Sequence, residues 1–122
     1  MAKTMRITTS VSGNGITASS GYQEETADEL IAIDQVIPAS TADLASDLDL
    51  IVAKIKMLYL KCDKDITIET NSTSSPGDTL TLQAGEAITD KSLLTVNITQ
   101  WFLNNPGLTQ AVLTGYILYD PT

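Results

Sequence analysis

Histidine is missing from this sequence altogether, and cysteine, tryptophan and phenylalanine occur once each. Without histidine the chain lacks the commonest general base near neutral pH and the commonest zinc ligand. With Cys62 as the lone cysteine, neither an internal disulfide nor a cysteine-based metal site can be built. Catalysis would have to rest on carboxylates, lysine or tyrosine. The expectation is therefore a protein that is not an enzyme, with no catalytic residue, no metal and no cofactor. Long hydrophobic runs are missing too: none reaches the roughly 20 residues that cross a bilayer, and Met1–Ser12 shows no charged segment followed by an apolar one. Neither a membrane partner nor export by a signal peptide is expected.

Positive charge is scarce. Seven Lys and Arg stand against fifteen Asp and Glu, a net charge of −8. Between Arg6 and Lys54 there is no basic residue, while Glu24, Glu25, Asp28, Glu29, Asp34, Asp43, Asp47 and Asp49 all fall there. Such a surface repels a polyanion, which excludes nucleic acid as a partner. It reads as a solvated acidic face, or as a field steering the molecule toward a basic patch on another protein. The lysines concentrate at Lys54, Lys56, Lys61, Lys64 and Lys91. They serve edge protection and solubility, or form a patch that meets acids on a neighbouring copy.

What the chain does have is alternation. Its 122 residues, 43% of them hydrophobic, suffice for one domain spanning 1–122 with a core of its own. The stretch Lys54–Thr70 organises the rest: an apolar run Ile55–Leu60, a polar turn Cys62–Asp65, then Ile66 and Ile68 alternating with Thr67 and Glu69. It reads as a β-hairpin. A similar unit, Gln100–Leu103, a turn, then Ala111–Leu113, suggests a second hairpin facing the first. Thr4–Val11 reads as a first strand and Ile16–Tyr22 as a second, around the turn Ser12-Gly13-Asn14-Gly15. Gln23–Ala27 reads as a loop and Glu29–Ile37 as a strand ended by Pro38. Ala39–Ala45 is loop-like. Leu44, Leu48, Ile51, Ile55 and Leu58 have helical spacing, but the β-branched and aromatic content of 55–60 favours strand, a helical turn at Val52–Lys54, then strand. Asn71–Asp78 is a loop. Thr79–Gln83, Leu93–Phe102 and Thr109–Tyr119 complete the strands, with Leu94, Val96 and Ile98 facing inward. The fold expected is all-β, a single antiparallel β-sandwich of about eight strands.

The pairs Asp63/Asp65 and Asp47/Asp49 could share a calcium ion, but aspartate is also what turns prefer, because its side chain bonds the local backbone. The turn reading is the one adopted. Tyr59, Trp101, Phe102, Tyr116 and Tyr119 are most of the aromatics and read as core or interface anchors, with a sugar-stacking platform as the rarer use. Tyr116 and Leu118 lie on one face of the last strand, and Leu113 and Ile117 on the other, more apolar surface than one core needs. Self-association is the expectation. Met5 and Ile7 either complete this chain's own sheet or belong to an arm, residues 1–12, that adds a strand to a neighbour's edge.

The block MLYLKCDKDITIETNSTSSPGDTLTLQAGEAI, followed by NITQWFLNNPGLTQAVLTGYILYDPT, resembles small virion proteins of tailed bacteriophages, built as jelly-roll-like sandwiches. The resemblance covers about Ala53–Thr122. It departs at Thr89-Asp90-Lys91, where an aromatic would be expected after the Ala-Gly-Glu-Ala turn. It implies a head decoration, or cement, protein: made in the host cytoplasm, placed on the capsid exterior as a homotrimer, and bridging subunits of the major capsid protein. Its interface candidates are Met5, Ile7, Tyr59, Trp101, Phe102, Tyr116, Leu118 and Tyr119. The competing reading is a receptor- or glycan-binding module of a phage tail or fibre, favoured if aromatics stand exposed in a groove with Asn and Asp partners; aromatics buried between subunits favour the decoration reading. A carboxylate-dependent hydrolase would need two acids converging in a pocket.

Overall fold

In the computed structural model the chain is almost entirely β-strand. The structure describes residues 2–13 and 16–121, with the backbone alone for 9–13 and 16–22. The strands are β1 (Lys3–Gly13), β2 (Ile16–Ala27), β3 (Glu29–Ile37), β4 (Thr41–Leu50), β5 (Ile55–Cys62), β6 (Ile66–Thr70), β7 (Thr79–Leu82), β8 (Ala87–Ile88), β9 (Ile98–Asn105) and β10 (Ala111–Tyr119). Single 3₁₀ turns stand at Val52–Lys54 and Lys91–Leu93. Ten strands among the described residues replace the eight expected.

Eight of them form the sandwich. The antiparallel pairs β3–β10, β4–β9, β5–β8 and β6–β7 are the successive rungs of one long hairpin closed at the β6–β7 end. Rolling that hairpin adds β5–β10 and β6–β9, giving two sheets of order β3-β10-β5-β8 and β4-β9-β6-β7. This is jelly-roll topology. Ile37, Leu58, Leu60, Leu113 and Ile117 from one sheet meet Leu50, Ile66, Ile68, Leu82 and Leu103 from the other in a single core.

The two expected hairpins are therefore corrected. β5 and β6 lie in opposite sheets, as do β9 and β10, so each aromatic-strand-plus-turn unit is a crossing between layers. Side chains in the turns explain why. Asp63 Oδ1 accepts from the Val112 amide at 2.7 Å and Asp65 Oδ1 accepts from the Ala84 amide at 2.7 Å, tying the Cys62–Asp65 link to β10 of one layer and to the turn that follows β7 of the other. At the other crossing Asn105, fully buried, donates from Nδ2 to the carbonyls of Ile37, Pro38 and Thr109, while its Oδ1 accepts from the Gly107 amide.

The stretch 41–54 is strand followed by a 3₁₀ turn, as the composition favours; its strand begins at Thr41, inside the segment that reads as a loop. The helical spacing has a plain origin. The step from Leu44 to Leu48 keeps both on one face of a strand, and the odd step to Ile51 falls in the break before the turn, where Ile51 is exposed.

Leu93–Asn97, expected as strand, does not form one. Asp78 accepts from the Thr95 amide and hydroxyl and from the Val96 amide, and Asn71 bonds the Asn97 carbonyl and the Thr99 amide. These clamps occupy the backbone groups a ladder would need. Val96 accordingly faces out and packs on Gly77, while Leu94 and Ile98 stay buried.

β1 and β2 form a hairpin outside the sandwich. Part of its connection, Asn14 and Gly15, lies outside the described residues. Gln23–Ala27, expected as a loop, is strand because β1 supplies cross-strand partners: Arg6 pairs with Glu24 at 2.6 Å and the hydroxyls of Thr4 and Thr26 meet at 3.2 Å. The partner strand, not apolar periodicity, defines it.

Candidate functional site: the outer face of the β3-β10-β5 sheet

Register places the outward side chains of this sheet in rows across three strands. Leu30, Leu118 and Met57 form the first row; Ala32, Tyr116 and Tyr59 the second; Asp34, Thr114 and Lys61 the third; Val36 and Val112 the fourth. The base of the β1–β2 hairpin lies over the first row. Met5, Ala27, Met57 and Leu118 are buried together, with Ile7 and Tyr59 packed against them, in a second apolar cluster separate from the main core.

Beyond the hairpin the face is open: Tyr116 is 49% exposed and Val36 48%, and Leu30, at the β3 end of the first row, is 40% exposed. Between the hairpin and this face runs a groove of about 390 Å³, lined by Thr4, Met5, Arg6, Ile7, Thr8, Leu30, Tyr59 and Tyr116. Its floor is aromatic and aliphatic, and its rim carries hydroxyls and the Arg6–Glu24 ion pair. It can hold an apolar anchor or stack a flat ligand on Tyr116.

Four of the eight interface candidates, Met5, Ile7, Tyr59 and Tyr116, converge on this groove, and Leu118 lies beneath the hairpin beside it. Trp101 and Tyr119 belong to the main core, 5% and 7% exposed; the Tyr119 hydroxyl accepts from the Ile51 amide at 2.9 Å and fixes the link between β4 and β5. Phe102 is half-buried on the outside of the other sheet, opposite Ala45 and Glu69. Leu118, offered as surplus apolar surface, is covered by this chain's own hairpin. Leu30, Thr4 and Arg6 are additions that the sequence reading does not contain. Leu30 is legible in principle, since it shares the parity of Ala32 and Val36 on β3.

No family model, curated protein or solved structure matches this chain.

Several charged and nucleophilic groups elsewhere are engaged in holding the fold. Burial pushes the Cys62 thiol up from its ordinary range, and the side chain is enclosed in the core. Asp63 and Asp65 serve the backbone as above. Lys54 donates to the Pro121 carbonyl, Lys91 donates to the Ile55 carbonyl and lines one cavity together with Lys56, and Lys61 stands in the row with Asp34 and Thr114. Among the described residues no three His, Cys, Asp or Glu side chains come together as metal ligands would.

Proposed function

We propose that this protein is a structural virion component that decorates a phage capsid and holds neighbouring capsid subunits together. The observation that carries this reading is the groove between the N-terminal hairpin and the outer sheet face, where half-exposed Tyr116 stands beside Leu30 and Ile7. Tyrosine and arginine are among the side chains that most often anchor protein interfaces, and Tyr116, Tyr59 and Arg6 all line this groove. The jelly-roll sandwich fits the resemblance that the C-terminal part of the sequence bears to small phage virion proteins. Each copy bridges two or more shell subunits, so that modest contacts linked in one molecule multiply.

The test is pelleting with expanded capsids that lack the protein. Wild type is expected to co-sediment to saturation, and Tyr116→Ala to lower apparent affinity on the order of tenfold or more while folding normally. Equal binding by the variant removes the groove from the interface, and no binding by wild type removes the capsid reading. A second reading rests on the same exposure: Tyr116, with Thr4, Thr8 and Arg6 around it, is also a platform on which a sugar ring can stack. Glycan binding lost in Tyr116→Ala, with no capsid binding, favours a receptor-binding module.

A further inference from the structure

A β-sandwich has four sheet edges, and exposed edges are normally blunted against pairing with other chains. Three of the four are blunted here. β8 is two residues long and β7 four. β4 carries Asp43, Asp47 and Asp49, holds Asp43 at φ 57°, and has two breaks in its register with β9. The fourth edge, β3, is neither short nor broken, and carries only Glu29 at its start and Asp34 within it. It pairs with β10 without a break over nine residues, Glu29–Ile37, and among the described residues no strand pairs with its other side. Even its inward side chains Ile31 and Ile33 remain only half-buried, as expected at an open edge.

We infer that β3 is a pairing edge and that its partner is β3 of a second copy, antiparallel, with a two-fold axis at Ile33. The pattern of the strand selects this register. Ile33 is the midpoint of β3, so all nine residues take part. Leu30 meets the partner's Val36 and Val36 the partner's Leu30, covering two exposed apolar side chains on each copy. Ala32 faces the partner's Asp34, and Ile33 faces its own counterpart. Moving the axis one residue sets Leu30 against the partner's Asp34 or Asp34 against itself, which like charges oppose. The contact is isologous and closes at two copies, joining two four-stranded sheets into one of eight. The aspartates of β4 keep the layer beneath from pairing likewise. This pairing rests on the fold alone and not on the capsid reading.

Sedimentation equilibrium over a concentration series tests it. Wild type is expected as a reversible monomer–dimer system. Ala32→Lys places an ammonium opposite the partner's Asp34 twice per dimer and is expected to tighten the dimer by about three- to tenfold; Ala32→Asp places a carboxylate there and is expected to loosen it by a similar factor. Position 32 is exposed, and circular dichroism checks that both variants fold. The pairing is overturned by a wild type that stays monomeric up to about 1 mM, by a trimer, or by the two variants shifting the equilibrium in the same direction.

Discussion

Single residues carry several of the fold's decisions, and few of them announce themselves in the sequence. Gly115 sits in the middle of β10, where a Cβ would run into the Tyr59 carbonyl oxygen and crowd Leu60 of the neighbouring strand. Backbone cannot yield as a side chain can, so Gly115→Ala is expected to lower unfolding free energy by about 1–3 kcal/mol or more, read by urea denaturation. Asn105 lies in a turn sequence, Asn-Asn-Pro-Gly, that is legible as a turn; that its amide is buried and bonded to three carbonyls is not. Asn105→Leu leaves those acceptors without partners, at roughly 1–3 kcal/mol, and is expected to loosen the β9–β10 crossing first. Asp78 gives the protein an acid sensitivity. Burial pushes its carboxyl up, but the Thr95 hydroxyl and amide and the Val96 amide together outweigh that and hold it below the ordinary aspartate range. The stability it contributes is present above the value of an unfolded aspartate, about pH 4, and is lost as pH falls through the lower folded value. Thermal melts from about pH 5 down to about pH 2 should show this loss, with a shallower acid slope in Asp78→Asn.

At the level of elements, alternation locates most strands but cannot tell which neighbour each will take. Ile55–Cys62 and Ile66–Thr70 are recognisable as strands, yet a short polar turn between them reads as a hairpin whether the chain reverses within a sheet or crosses to the next. The deciding groups are Asp63 and Asp65, whose carboxylates bond backbone far along the chain, at Val112 and Ala84. The same holds for 93–97, whose alternation is that of a strand while its backbone is claimed by Asp78 and Asn71 from a distant loop. The β1–β2 hairpin is half legible: β1 by its alternation, the end of β2 only through its partner. Met5 and Ala27 hold this hairpin to Met57 and Leu118 through a cluster of its own, and along the chain it leads into the sandwich at Asp28. It is expected to open before the sandwich does. Hydrogen exchange should show the amides of β1 and β2 exchanging well before those of β6 and β9, and Met5→Ala should accelerate only the former.

For the molecule as a whole, the jelly roll makes the first and last strands of the sandwich neighbours, Glu29 opposite Tyr119. The surface that stands out is the outer face of the β3-β10-β5 sheet, with its hairpin, its groove and its open edge. Of the candidate site, the aromatics Tyr59 and Tyr116 and the apolar Met5 and Ile7 are legible in the sequence. Their convergence is not, because it depends on the hairpin folding back over the first row of the sheet. A decoration protein must occupy a shell at a definite ratio, which makes occupancy the decisive measurement. Capsids lacking the protein are titrated with it, and bound copies per capsid subunit are counted together with the melting temperature of the shell. Capsid decoration predicts saturation at a fixed ratio and a shell that melts at higher temperature once saturated. Binding that rises without a plateau, or a saturated shell that melts no higher than the bare one, would contradict it.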